Sequence, residues 1–215
     1  MLRVLIADDH PIVRKGIRQI LEETRNVQSI DEAETGQEVL DKVKKGKFDI
    51  VLLDISMPGM NGIDTLEELK KLRPSLPVLI LSMYPEEEYA VRALRAGASG
   101  YLTKKSAPDE LSTAIRKIYK GERYISPILA DLLASNLMDD SERPLHESLS
   151  NREFQVMRMI VEGKALKEIA GEMSLSPKTV STFRSRILQK LNMTSNAELI
   201  QYAVKNQLGE LPRVK

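Results

Sequence analysis

Phe48-Asp49-Ile50-Val51-Leu52-Leu53 runs directly into Asp54-Ile55-Ser56-Met57-Pro58-Gly59, and this stretch decides the fold of the first half of the chain. A short run that is apolar at consecutive positions and closed by turn residues reads as a strand buried on both faces. The pattern recurs on either side. Leu2–Ala7, Val27–Ala33, Leu76–Ser82 and Ala98–Leu102 read as further strands, and residues 11–23, 36–46, 62–72, 85–96 and 107–120 carry helical periodicity. Five strands alternating with five helices imply an α/β domain, a doubly wound five-stranded parallel sheet covered on both faces and joined by right-handed crossovers. In such sheets ligands bind beyond the carboxyl ends of the strands, near a topological switch point.

Those ends carry chemistry. Asp8-Asp9 closes the first strand and Asp54 the third. If the two strands are neighbours, three carboxylates meet at one sheet edge, and their repulsion calls for a cation. A hard, oxygen-liganded ion such as Mg²⁺ suits that donor set and also holds phosphoryl oxygens. Taken singly, Asp8 and Asp9 are equally well read as caps of the helix after His10-Pro11, and Asp54 as the opening of a turn. Ser82 ends the fourth strand and Thr103-Lys104 follows the fifth, so a hydroxyl and an ammonium converge on the same edge. His10 and His146 read as residues opening a helix and lying in a linker.

Asp8-Asp9, the run Asp54 to Gly62, Ser82, and Gly97-Ala98-Ser99-Gly100-Tyr101-Leu102-Thr103-Lys104 together resemble the receiver domain of response regulators over about residues 1–121. That resemblance implies a flavodoxin-like fold with Asp54 as phosphoacceptor. It implies Mg²⁺ held by Asp9, Asp54 and the Ser56 carbonyl with help from Asp8, and a phosphoryl group held by Ser82 and Lys104. It makes Tyr101 an aromatic switch that turns inward on phosphorylation, and a histidine kinase the donor. The chain is then no enzyme beyond its own phosphorylation and dephosphorylation. A phosphotransferase of the haloacid-dehalogenase kind shares a strand-end Asp, Mg²⁺ and Lys, but it places a second acid two residues after the nucleophile, where this chain has Ser56.

The remainder of the chain changes character. Hydrophobic residues at 42% and charged residues at 29% are ordinary for a folded protein, and the absence of Cys excludes disulfides and thiolate sites. No run approaches the roughly 18 apolar residues of a spanning helix, which places the protein in the cytoplasm and off the membrane. The net charge is 0 over residues 1–121, −4 over 122–148 and +5 over 149–215, so a polyanion partner is expected at the C-terminal end. Residues 122–147 read as a linker, with a helix opened by Ser126-Pro127 and running to about Asn136, then an acidic tether over Met138 to Pro144.

Residues 148–215 read as a small all-α domain. Ser150 and Glu153 form a capping-box pattern, a short helix spans about 166–173, and Ser176-Pro177 opens a helix to about Leu191. That last helix carries Lys178, Thr179, Ser181, Thr182, Arg184, Ser185, Arg186 and Lys190 on one face, a mixture suited to phosphates and base edges. A solvated face of a helical bundle would show the same pattern. Leu149 to Phe154, Lys167-Glu168-Ile169-Ala170 and Ser176 to Arg184 resemble the LuxR-type helix-turn-helix. With the receiver in front, the architecture is similar to the NarL/FixJ class, which implies a transcription regulator that binds double-stranded DNA, with phosphorylation either releasing the helix-turn-helix from inhibition by the receiver or pairing it as a homodimer. RNA polymerase is a further candidate partner, and the helix around Leu199, Ile200, Ala203 and Val204 is the candidate dimer surface, the alternative being that these apolar residues complete the core.

Overall fold

The computed structural model describes residues 2–24, 27–138, 144–206 and 208. The chain divides into two compact units, Met1–Leu133 and Ala134–Lys215. The elements of the first are β1 (Leu2–Ala7), α1 (Pro11–Glu23), β2 (Val27–Ala33), α2 (Gly36–Lys45), β3 (Ile50–Asp54), α3 (Gly62–Leu72), β4 (Val78–Ser82), α4 (Glu86–Arg95), β5 (Gly100–Thr103) and α5 (Ala107–Tyr119). Next comes α6 (Pro127–Met138), within which the division falls, then a 3-10 turn over Leu145–Ser148. The series closes with α7 (Asn151–Val161), α8 (Leu166–Glu172), α9 (Pro177–Lys190) and α10 (Asn196–Lys205).

The five strands form one parallel sheet in the order β2-β1-β3-β4-β5. This is the flavodoxin-like order, with its reversal between β1 and β3. β3 and β4 are buried at every position, and Val4, Leu5 and Ile6 of β1 are equally enclosed. Each such Leu or Ile contributes about 1.5–3 kcal/mol through removal from water, which makes the central strands the fixed frame of the site. The strand limits shift by a few residues from those read in the sequence. β3 takes in Asp54, which stands in register with Leu81, and β4 starts at Val78 because Pro77 has no N–H to give the ladder. The run before Asp54 therefore delivers its carboxyl group to the sheet edge on a rigid strand.

α6 is capped by Ser126, whose hydroxyl accepts from the Leu129 N–H at 3.0 Å, and it extends two residues past Asn136. The acidic tether falls, over residues 139–143, outside the described residues. In the second unit the Ser150–Glu153 capping box is formed in both directions, and the Ser176 hydroxyl accepts from Thr179 N–H at 3.0 Å at the start of α9. Phe154, Val180, Ile187 and Leu199 meet in its core, each fully enclosed. Ser174 turns the chain from α8 to α9 with φ of 54°, in the left-handed region where glycine is the usual occupant.

Candidate functional site

Because β1 and β3 are neighbours, Asp8, Asp9 and Asp54 do meet at one edge. Together with His10 they bring potential ligand atoms within 4.8 Å of one another. Asp8 and Asp54 are each 1% exposed, whereas the Asp9 and His10 side chains are open to solvent in part. Asp8 also serves the helix, since its Oδ1 accepts from the His10 N–H at 2.9 Å. The capping role and the site role therefore coexist. His10 opens α1 without a side-chain cap bond, and its Nδ1 lies 2.7 Å from Asp9 Oδ1. Its sequence reading as a residue opening the helix missed that proximity, which only the turn of the β1–α1 loop creates.

Lys104 closes the edge from β5. Its Nζ stands 2.6 Å from Asp8 Oδ2 and 2.8 Å from Asp54 Oδ2. Burial opposes the ammonium charge, but Asp54 and Asp8 outweigh it and raise the Lys104 pKa. For Asp54 the balance runs the other way. Burial, only partly offset by Lys104 and reinforced by Asp8, lifts its pKa from 3.8 to about 6. Asp54 Oδ1 is buried and receives no hydrogen bond among the described residues. An unsatisfied carboxylate oxygen in a cluster of three acids is suited to ligate a hard cation. The donor set therefore fits a divalent ion with oxygen ligands.

The loop after β3 is held close by Gly62, since a Cβ there would stand 2.0 Å from the Asp54 carbonyl oxygen. Ser56 lies in this loop, and its hydroxyl donates to the Tyr84 hydroxyl at 3.2 Å. Ser82 is fully buried at the end of β4, with its hydroxyl accepting from the Tyr84 N–H at 3.1 Å and its carbonyl from the Lys104 N–H at 2.7 Å. The Tyr101 ring lies inside, 0% exposed, with the hydroxyl donating to the Tyr84 carbonyl at 2.8 Å. Burial of the ring and a satisfied hydroxyl together favour this rotamer.

In the second unit α9 buries Val180, Ile187 and Leu188 and presents Lys178, Ser181, Thr182, Ser185, Arg186 and Lys190 to solvent, with Thr179 and Arg184 half-buried. Fourteen residues at 1.5 Å make it about 21 Å long. Not all of its polar groups are free. Arg184 Nε donates to Asn196 Oδ1 at 2.7 Å, and Lys190 Nζ reaches Glu153 Oε2 at 2.6 Å and the Ser148 carbonyl at 3.3 Å. Thr182 and Ser185 hydroxyls donate back to the Lys178 and Ser181 carbonyls, and Thr179 pairs with Ser176. Lys178 and Arg186 have no ion pair among the described residues. No described helix is long and apolar enough to cross a membrane.

Residues 4–116 match the response regulator receiver domain, and residues 147–203 match the bacterial regulatory proteins of the luxR family. The chain is 36% identical over 209 residues to the response regulator UvrY of Escherichia coli, covering 97% of this chain and 96% of that protein. It is 39% identical over 206 residues to the response regulator GacA of Pseudomonas protegens, covering 96% and 97%. Among solved structures, RcsB of Salmonella enterica serovar Typhimurium, bound to promoter DNA with a phosphomimetic, superposes with a TM-score of 0.66. It has 30% identity, covering 95% of this chain and 99% of that one. A receiver sheet with an acid-and-lysine edge, a helix-turn-helix with a polar second helix, and relatives matched end to end lead to one conclusion: the chain belongs to the two-component response regulators of the NarL/FixJ class, DNA-binding regulators controlled by phosphorylation.

Proposed function

We propose that Asp54 takes a phosphoryl group from a histidine kinase and that α9 reads double-stranded DNA. The observation that supports this most is the bridge Lys104 makes between Asp8 and Asp54 at the carboxyl edge of the sheet, beside an Asp54 oxygen with no hydrogen bond among the described residues. In the transfer, an Asp54 carboxylate oxygen forms a bond to phosphorus as the phosphorus–nitrogen bond of the donor phosphohistidine breaks. Lys104 then exchanges a carboxylate partner for a phosphoryl oxygen, and the Ser82 hydroxyl donates to another. Asp8, Asp9, Asp54 and the Ser56 carbonyl would hold Mg²⁺, which supplies compensation for the phosphoryl charge when bound. Ser56 and Tyr84, joined by their hydroxyls, flank the route of an attacking water and set the lifetime of the acyl phosphate.

On DNA, Lys178 and Arg186 provide phosphate contacts, and Ser181, Thr182 and Ser185, with Thr179 at the helix start, face the base edges. Arg184 and Lys190 are engaged within the protein and contribute by fixing α9 against α7 and α10. The RcsB complex with promoter DNA supports this assignment of the second unit. Activation pairs two copies, and with them two half-sites about 34–36 Å apart. The protein acts in the cytoplasm, with RNA polymerase as its further partner, and its receiver takes in the start of the expected 122–147 linker, since Tyr124 and Leu129 are buried within the first unit.

The test uses the whole chain. A small phosphodonor with Mg²⁺ should give hydroxylamine-sensitive labelling of the parent, none of Asp54→Asn, and reduced labelling of Asp9→Asn. Undiminished labelling of Asp54→Asn refutes the phosphoacceptor assignment. Absence of any salt-dependent affinity for duplex DNA refutes the second half.

A further inference from the structure

The acidic edge is braced from behind by Arg14, in the first turn of α1, a residue to which the sequence drew no attention. It is only 6% exposed. Its guanidinium bonds in three directions: Nη1 donates to the Asp8 main-chain carbonyl at 2.7 Å, Nε to Glu32 Oε2 at 2.9 Å, and Nη2 to Glu34 Oε1. Glu32 lies on β2 and Glu34 just beyond it, so the fork joins α1, β1 and β2 at the carboxyl edge. The two glutamates already answer the guanidinium charge. The third bond goes to a neutral carbonyl, and its effect is geometric: that carbonyl belongs to the peptide between Asp8 and Asp9.

Asp8 is fixed from its other atoms as well. Its N–H donates to the Ala33 carbonyl at 3.1 Å, and its Oδ1 accepts from the His10 N–H at 2.9 Å. The Asp8–Asp9 peptide therefore cannot rotate without breaking a charge-assisted bond inside the protein, where such a loss is costly. Asp9 itself, about one-third exposed, meets only the solvent-exposed His10 ring, at 2.7 Å, among the described residues, and has no buried anchor of its own. Its direction is set by the peptide before it. Arg18 offers a natural comparison, since it shares Glu32 but touches neither Asp8 nor Asp9.

We propose that Arg14 is a positioning residue for the divalent cation, holding the Asp8–Asp9 peptide so that the Asp9 carboxylate meets the octahedral geometry Mg²⁺ demands. The proposal rests on the Mg²⁺ reading of the Asp8, Asp9 and Asp54 cluster. Outer partners that orient a ligand are worth about 10–100-fold in metal affinity. Mg²⁺ tolerates little angular error, whereas Ca²⁺ accepts irregular oxygen shells. Loosening the peptide should therefore cost Mg²⁺ more than Ca²⁺, which a general loss of stability would not do.

The experiment titrates the full chain, stripped with EDTA and dialysed, with Mg²⁺ and separately with Ca²⁺, following amide chemical shifts of the receiver. Arg14→Lys and Arg14→Gln should each raise the Mg²⁺ Kd about tenfold and the Ca²⁺ Kd by less, while Arg18→Lys changes neither. Lys keeps the charge but lacks the fork, so its failure to rescue assigns the effect to geometry. If Arg14→Gln does not fold, Arg14→Lys decides alone. Parent-like Mg²⁺ affinity in Arg14→Lys, or equal losses for the two ions, overturns the proposal. A parent that binds no Mg²⁺, or whose binding survives both Asp9→Asn and Asp54→Asn, overturns the metal reading beneath it and takes the proposal with it.

Discussion

Replacing Asp54 by Asn should make the receiver unit more stable at neutral pH when no divalent cation is present. Burial lifts the Asp54 pKa from 3.8 to about 6, so the native state binds a proton more tightly than the unfolded chain does. Stability must therefore fall as pH rises from about 4 to about 6, with the full penalty in place above that window. Two pKa units correspond to about 3 kcal/mol. Asn removes the charge but still buries an amide, which returns about 1 kcal/mol or more where a hydrogen bond is missing. A net gain of about 1–2 kcal/mol remains, or roughly 3–8 °C in Tm for a unit of this size. Lys104 keeps its pairing with Asp8 in the variant, so no lone ammonium is created. Differential scanning calorimetry of both proteins in EDTA, from pH 4 to 8, measures the receiver transition. At pH 4 the amide cost should leave the variant level with the parent or about 1 kcal/mol less stable, and the difference should turn in the variant's favour through pH 6. Millimolar Mg²⁺ should narrow that advantage by stabilising the parent alone. A variant less stable than the parent at neutral pH, or a difference independent of pH, would refute the assignment of Asp54 as a buried carboxylate whose charge is opposed by burial.

Gly62→Ala should destabilise the receiver by about 3 kcal/mol or more, because its Cβ would meet the Asp54 carbonyl at 2.0 Å; chemical denaturation measures it. Tyr84→Ala should change the aspartyl-phosphate half-life through loss of the hydroxyl contact with Ser56, read by the decay of labelled protein. Lys178→Ala should reduce the slope of log affinity against log salt by about one unit, whereas Lys190→Ala should leave that slope nearly unchanged. Lys190→Ala should instead lower the Tm of the second unit, since Glu153 would lose the partner that, with the Ser150 hydrogen bonds, outweighs burial and holds its pKa below the usual range. Ser174→Gly should not destabilise the second unit, as it relieves a left-handed residue worth about 1 kcal/mol, and thermal melting decides it.

What the sequence determined by itself was everything governed by local pattern. The consecutive apolar positions before Asp54 and in Leu79-Ile80-Leu81 required strands covered on both faces, and alternation with amphipathic helices then left few topologies. Caps were legible for the same reason: Ser126, Ser150 and Ser176 act on N–H groups three residues away. Asp8, Asp9, Asp54, Ser82 and Lys104 could be placed at strand ends, and parallel strands bring their ends to one edge. Tertiary structure decided which of those groups are already engaged. Arg14 looks like any basic residue of an amphipathic helix until Glu32, Glu34 and the Asp8 carbonyl arrive from β2 and β1. Lys190 and Arg184 share a polar face with Lys178, yet Glu153 and Asn196 lie close enough to claim them. Tyr101 lies inward because a carbonyl seventeen residues away accepts its hydroxyl. Pattern in a sequence reports which face a residue occupies, whereas its partner comes from another element and is fixed only when the elements pack.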